Sequence, residues 1–397
     1  MPRSLTLRLL TEVPPRLLTR FVADGALGSV RSIQRFTRRL RRGEPYFPAF
    51  VFISITNACM LRCKGCWVTR KPVCHMTSGC FEQIIRDART QGCRLFGILG
   101  GEPLLHPEWT ALLARFPDCY FQLYTNGLLL DDAVAQRLAS LGNVTPVISV
   151  EGGPAAAADR RGTDEAQPGA LRAIAACRRA RLVTGVATSV CRSSFGDVVA
   201  APFIREMADR GAHYLWHYIY RPGGEDPAPG EALDAEQILQ LRRFLVRERG
   251  RHPLALIDTY WDDRGRALCP AATGISIHIN PAGDIEPCPP VQCSDCRVTP
   301  GTPLAATVSG SGFLDTFRRD VAACTRGCLL LDRPELLAPV VRQGGAHDTS
   351  GRPGNLDAIA GRAPCAGHDL PGHEIPERQW IYRLAKRKWF FGFGAYG

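Results

Sequence analysis

The sequence predicts an α/β fold: a partial (β/α)6 barrel of the TIM type, with a small Cys-rich C-terminal extension and a basic helical N-terminal segment. Three observations predict it. Short apolar, β-rich runs recur six times between residues 50 and 219. Between them lie stretches of helical period and helix length, which ask for parallel strands joined by right-handed crossovers. Cysteines, 16 in all, crowd at short spacing after the first of these runs and again beyond residue 268. Six units fall short of a closed eight-unit barrel, so the barrel should be open on one side.

Taken in order, residues 5–42 read as basic amphipathic helix. Leu7, Leu10, Val13, Leu17, Leu18 and Phe21 recur at helical spacing, with breaks at Pro14-Pro15 and Gly25–Gly28. The expected strands are Phe50–Thr56, Leu95–Leu99, Tyr120–Tyr124, Thr145–Val150, Leu182–Ser189 and Tyr214–Ile219. The expected helices are Phe81–Gln91, Pro107–Phe116, Asp131–Leu141, Gly169–Ala180 and Asp197–Arg210. A Pro/Gly-rich loop, RPGGEDPAPGEALD, leads to a charged helix at Ala235–Arg249. A region rich in Cys, Pro and Gly then runs from 269 to 300, and residues 343–376 read as loop. Four segments follow: 1–46 basic and helical, 47–225 the barrel, 226–340 a helix plus a cysteine region, and 341–397 a loop-rich tail with an aromatic-basic end. No fixed-period repeat is present.

With 45% hydrophobic and 22% charged residues, the chain has a globular balance that excludes wholesale disorder and collagen-like repeats. No apolar run approaches the roughly 20 residues that span a bilayer. The first residues lack a clean apolar core and a small-residue cleavage site, so no secretory signal and a cytoplasmic location are expected. The net charge of +11 is concentrated at the termini: residues 1–46 hold ten arginines against Glu12, Asp24 and Glu44. Residues 376–397 hold Arg378, Arg383, Lys386, Arg387 and Lys388 against Glu377, leaving the body neutral. These ends suit either solvated helix faces packed on the barrel or peripheral contact with anionic lipid at the inner face of the membrane. Trp380, Tyr382, Trp389, Phe390, Phe391, Phe393 and Tyr396 give the C-terminal end the make-up of an interface belt, or of a cap on the barrel mouth. The N-terminal arginines interleave with Leu, Ile and Phe, which speaks against a nucleic-acid groove.

An even cysteine count raises a disulfide framework. The expected lack of an export signal, the length and the short spacings favour metal or iron–sulfur ligation instead. Cys59-x3-Cys63-x2-Cys66 places three thiols within eight residues, in the loop after the first strand. They can hold three irons of a cubane and leave the fourth open to a small molecule. A closed zinc site would want four ligands, and a ferredoxin-type run a fourth Cys and a following Pro. The scattered Cys74, Cys80, Cys93, Cys119, Cys177 and Cys191 read as small apolar residues.

This spacing, TNACMLRCKGCW at the end of a first barrel strand, resembles the radical S-adenosylmethionine (SAM) superfamily. The resemblance implies that Cys59, Cys63 and Cys66 ligate a [4Fe–4S] cluster whose free iron chelates the amino and carboxylate groups of SAM. It implies reductive cleavage of SAM to methionine and a 5′-deoxyadenosyl radical that abstracts hydrogen from substrate. An external electron donor of flavodoxin or ferredoxin type is implied as partner. Gly65 stands where many members carry an aromatic, and Trp67 just after offers a ring for the adenine.

Three further motifs fall where the family places them. Gly100-Gly101-Glu102-Pro103 follows the second strand, Thr125-Asn126-Gly127 ends the third, and Ser149-Val150-Glu151-Gly152 ends the fourth. Singly each reads as a turn or a surface group; their order on successive strand ends carries the reading. Gly100, Gly101, Glu102, Pro103, Thr125, Asn126, Ser149 and Glu151 are the implied SAM-binding residues. Tyr218, Tyr220, Cys191 and His217 lie near the ends of strands five and six as positions to test.

Cys269, then Gly283-x4-Cys288, resembles the opening of the SPASM or twitch extensions, which hold auxiliary [4Fe–4S] clusters. Cys269, Cys288 and Cys328 are the implied ligands of one such cluster, with a fourth from Cys293, Cys296 or Cys324. The alternative for Cys293 and Cys296 is zinc or no role. The Cys-x5-Cys-x3-Cys element of a two-cluster extension is missing. The substrate class stays open between a peptide, a lipid or isoprenoid, and a cofactor precursor. The competing classes are a non-catalytic iron–sulfur electron carrier and a zinc-binding interaction protein.

Overall fold

Six strands follow the six apolar runs: β1 (Phe50–Ser54), β2 (Leu95–Leu99), β3 (Tyr120–Thr125), β4 (Val144–Ser149), β5 (Gly185–Val190) and β6 (Tyr214–Ile219). The computed structural model describes residues 4–70 and 72–388. The strands are buried on both faces, as apolar runs without alternation require. They pair in parallel and in chain order, for example Ile53 with Ile98, Phe96 with Phe121 and Val186 with Leu215.

The sheet is wider than the six runs foretell. β7 (Ala255–Ile257), β8 (Ser276–Ile279) and β9 (Ile285–Glu286) complete the order β7-β6-β5-β4-β3-β2-β1-β8-β9. β7 and β8 extend the sheet in parallel at both edges, and β9 turns back antiparallel on β8. The barrel sheet thus draws on residues beyond 225, and the cysteine region is anchored to β1 through β8.

Helices α1 (Leu5–Glu12), α2 (Pro15–Arg20) and α3 (Leu27–Arg42), with a π-helical stretch at Phe21–Ala26, precede the sheet. The crossovers carry α4 (Ser78–Thr90), α5 (Trp109–Ala114), α6 (Asp132–Leu141), α7 (Pro154–Arg161), α8 (Ala166–Arg179), α9 (Phe195–Val198) and α10 (Ala201–Arg210), and α11 (Ala235–Glu248) follows β6. Their ends are written in the sequence. Asp131 accepts from Val134 N at 2.8 Å at the start of α6, and Asp234 and Gln237 form a capping box on α11.

The basic N-terminal segment packs under the amino ends of the strands. Phe21 meets Tyr120 edge to face at 5.9 Å, and the buried Arg8 donates to the carbonyls of Ala212 and Pro253 at 2.8 and 2.9 Å. Leu7, Leu10, Leu27 and Leu40 remain exposed on this layer. At the other terminus Trp380–Lys388 forms a helix with Tyr382 and Lys386 buried and Trp380, Ile381 and Leu384 exposed. Trp389, Phe390, Phe391, Phe393 and Tyr396 lie outside the described residues. Among the described residues no helix is long and apolar enough to cross a membrane.

Two buried histidines tie the sheet to pH. Burial, then Arg8, pushes His213 down to about 4, and burial pushes His217 down to about 4. The unfolded chain therefore binds these protons first, and stability present above pH 6.5 is lost as the pH falls toward 4. Each should remove about 2 kcal/mol of unfolding free energy between pH 7 and pH 5. Urea unfolding at the two pH values checks this, and a His217→Gln variant should flatten the slope.

Candidate active site

At the carboxyl end of β1 the chain leaves the sheet into the cysteine loop. Asn57 closes the base of this loop: its Nδ2 donates to the carbonyls of Thr69 and Pro72 at 2.9 and 2.8 Å, and its Oδ1 accepts from Cys74 N at 2.7 Å. Cys59, Cys63 and Cys66 all open on one cavity over the strand ends. Gly65 holds a left-handed φ of 66°, and a Cβ there would lie 2.0 Å from Tyr220 Oη. The place beside the third cysteine is thus filled by Tyr220, which leaves no room for a side chain at residue 65. Trp67 lines the same cavity, its ring edge-on to His278 at 5.5 Å.

The cavity's other walls come from successive strand ends. Gly100 and Gly101 after β2, Thr125 and Asn126 at β3, Ser149 and Glu151 at β4, Thr188 and Ser189 on β5 and Tyr218 on β6 all line it. Gly101 donates its N–H to Thr56 O at 2.8 Å, and a Cβ on it would sit 2.3 Å from Ala58 O. The bare backbone lets the second strand end lie directly against the cysteine loop. Gly101→Ala should therefore cost about 1–3 kcal/mol by overpacking against backbone. Thermal unfolding together with the iron content of the reconstituted protein would register it.

Glu102 and Pro103 stand behind this wall rather than on it. The Glu102 carboxylate accepts from Thr125 Oγ1 and Asn126 N, both at 2.8 Å, and from Leu104 N at 3.1 Å. Burial pushes its pKa up to about 7 against those donors. Glu102 thus ties the β2 end to the β3 end. Glu151 is also committed: it accepts from Ser189 N at 3.2 Å and pairs with Arg161.

Arg160 and Arg161, at the end of α7, also line the cavity, and no sequence motif marks them. Arg161 Nη1 points at Cys63 Sγ across 3.7 Å, and Arg160 lies over the Tyr220 ring at 5.1 Å. Burial pushes the Cys59 thiol up to about 12 and raises Cys66, while Arg160 and Arg161 oppose the shift at Cys66. The two guanidinium groups thus favour the thiolate form that a ligand needs. Two arginines closing a helix read as ordinary helix-end charges, so only their position past the fourth strand could have flagged them. Of the positions singled out for testing, Tyr218 lines the cavity and Tyr220 buttresses Gly65. Cys191 is buried beside Tyr220, and His217 faces Val198 O and Phe244 away from it.

A second cavity gathers Cys269, Cys288 and Cys328. Cys269 precedes the short helix Pro270–Thr273, and the backbone of Ala271 and Ala272 opposes its upward shift to about 11, which burial and then Cys328 drive. Cys288 sits in a turn closed by Val291 N at 3.0 Å, and Cys328 precedes Leu329–Asp332. Arg221, two residues past β6, donates from Nε to Cys328 Sγ at 3.1 Å. Cys293, Cys296 and Cys324 do not line this cavity. Cys293 pairs with Asp348 in a two-stranded ladder, Cys296 is hydrogen-bonded through its N–H to Ser294, and Cys324 is exposed.

Among the described residues no three His, Cys, Asp or Glu side chains lie close enough to hold a single metal ion. Each cysteine triad lines a cavity, and each has an arginine beside a thiol. That donor set fits a polynuclear iron–sulfur group better than mononuclear zinc.

Residues 53–191 match the model of the radical SAM superfamily. The chain carries a radical SAM domain. It spans the loop of Cys59, Cys63 and Cys66 and all three strand-end motifs, and it implies a [4Fe–4S] cluster and SAM. Members of this superfamily are enzymes. The chain is similar to pre-heme d1 synthase of Dinoroseobacter shibae, 26% identical over 231 residues, covering 55% of this chain and 56% of that protein. It thus spans little more than half of that relative's length. It is also similar to PqqA peptide cyclase of Streptomyces rochei, 26% identical over 258 residues, covering 61% of this chain and 69% of that protein. Among solved structures, Streptococcus suis SuiB bound to precursor peptide SuiA superimposes with a TM-score of 0.57 at 16% identity, covering 73% of this chain and 71% of that one. This likeness is one of fold.

Proposed function

We propose that this chain is a radical SAM enzyme that binds SAM over the carboxyl ends of β1–β5 and removes a hydrogen atom from a substrate held at the same mouth. The observation that carries the reading is the meeting of Cys59, Cys63 and Cys66 with Gly100, Gly101, Asn126, Ser149 and Arg161 on one cavity. When bound at those thiols, the cluster supplies the electron that splits SAM into methionine and a 5′-deoxyadenosyl radical.

The chain's own residues supply the setting. Gly100 and Gly101 seat the second strand end against the cysteine loop and line the cavity with backbone. Asn126, Ser149 and Ser189 offer polar atoms for the amino-acid and ribose portions, and Trp67 offers a ring face for the adenine. Arg161 points its Nη1 at Cys63 Sγ, with Glu151 fixing its guanidinium. Tyr124 and Tyr218, hydroxyl to hydroxyl at 3.4 Å, close the cavity toward the barrel interior. The electron comes from a flavodoxin- or ferredoxin-type donor. The relatives' names supply two substrate classes, a peptide and a tetrapyrrole.

The test is spectroscopic: SAM added to the reduced, reconstituted protein should change the cluster's electron paramagnetic resonance (EPR) spectrum. An unchanged spectrum at saturating SAM contradicts an open iron site here.

The exposed Trp380, Ile381 and Leu384, beside Arg387 and Lys388, support peripheral membrane contact by the final helix. Flotation with anionic vesicles at low salt should carry the protein upward and release it at high salt. Absence of binding at low salt removes this part of the proposal.

A further inference from the structure

The second cavity has three cysteines and no fourth thiol. Of its remaining lining residues, among those described, His368 alone has a side-chain lone pair to give a metal; Arg221 is a cation and the rest are apolar or proline. His368 is 1% exposed. Its Nε2 lies 3.0 Å from the carbonyl of Leu268, the residue preceding Cys269, so Nε2 must carry the ring proton. Nδ1 is then a bare lone pair, and it is buried without a hydrogen-bond partner. A buried unpartnered nitrogen of this kind costs free energy unless something outside the polypeptide satisfies it. A backbone carbonyl fixing the far N–H is also the usual support of a metal-bound imidazole.

The ring is locked as a ligand should be. Tyr260 packs against it with centroids 4.8 Å apart, and Trp261 Nε1 donates to His368 O at 2.9 Å. The other cysteines are spoken for: Cys365, three residues away, packs against Cys191, Tyr220 and Ala232.

We propose that His368, through Nδ1, is the fourth ligand of a Cys3His auxiliary [4Fe–4S] cluster held by Cys269, Cys288 and Cys328. The proposal rests on the auxiliary-cluster reading of those three cysteines and is independent of SAM cleavage. A cluster so ligated has no open iron for substrate, which assigns it to electron relay or to structure.

The test isolates this cluster in the full chain carrying Cys59→Ala, Cys63→Ala and Cys66→Ala together, reconstituted anaerobically after growth on 15N-histidine. The expected result is about four irons per chain and a 15N hyperfine coupling in the pulsed EPR of the reduced cluster. His368→Cys should keep the iron, lose the coupling and lower the reduction potential, because a thiolate replaces a neutral ring. Absence of a 15N coupling from an intact reduced cluster overturns the proposal without His368 being altered, as does a coupling that survives in His368→Cys. No iron in the triple variant overturns the auxiliary site itself. The SAM-induced EPR change of the unaltered protein reports the radical SAM reading separately.

Discussion

Replacing Cys59, Cys63 or Cys66 with alanine is expected to abolish 5′-deoxyadenosine formation and to remove about half of the bound iron, leaving about four irons at the second site. The three thiols line one cavity and no further cysteine does, so no neighbour can substitute for a lost ligand. Cys74 is the nearest in sequence, but its N–H is bound by Asn57 at the loop base and its thiol does not line the cavity. The loss should be all-or-none, since a cubane held by two thiols is released rather than weakened. Arg161→Ala offers a graded contrast: the ligands stay, the charge beside Cys63 goes, and turnover should fall with iron retained. Iron analysis and product chromatography on the same samples separate the two outcomes. Full iron and full product from Cys63→Ala would remove the site.

Asp258→Ala is expected to be the most destabilising substitution in the body of the protein, at about 3–5 kcal/mol. Asp258 and Glu377 are enclosed with Arg242, Arg249 and Lys386, all five almost inaccessible. Lys386 Nζ reaches Asp258 Oδ1 at 2.8 Å, Arg242 reaches Glu377 at 2.7 Å, and Arg249 pairs with both carboxylates. Removing Asp258 leaves three cations facing one carboxylate in a dry site. The loss reaches function through the chain's path. This cluster clamps α11, the segment after β7 and the final helix together, and Trp261 in that segment holds the backbone of His368. Opposing cations hold both carboxyls below their ordinary range against burial. Their stabilisation is therefore fully present above about pH 4 and is lost progressively as the pH falls from there toward the lowered folded-state values. Chemical unfolding of Asp258→Ala and Asp258→Asn at pH 7 measures the cost, and a loss under 1 kcal/mol would show that the cluster relaxes or hydrates.

The strands that build the site were readable because each is a continuous apolar run bounded by helix-length segments. β7, β8 and β9 were not: they are two to four residues long and lie beside a Pro/Gly-rich stretch, where pairing with β6 and β1 rather than local pattern creates them. The three cysteines of the loop were legible from spacing, and the glycines at β2 from the family resemblance. The buttressing roles of Glu102 and Glu151 were not, because a carboxylate's partner is set by the register of neighbouring strands. The +11 ends looked external by composition, yet Arg8 and Lys386 are buried, the one bound to carbonyls and the other to Asp258. Cys293 and Cys296 lie outside the second cavity. A Cys-x2-Cys suits chelation, but here the chain runs as a strand through Cys293 and turns its companion toward Ser294. His368 lay in a stretch that read only as loop.

Cleavage of SAM in the cavity over β1–β5 is what every role assigned to these residues serves. Its most direct test is the anaerobically reconstituted protein incubated with SAM and dithionite, and the products separated by chromatography. The expected products are 5′-deoxyadenosine and methionine in equal amounts, absent without reductant and absent in Cys63→Ala. No 5′-deoxyadenosine from protein whose clusters are shown intact and reduced would contradict it.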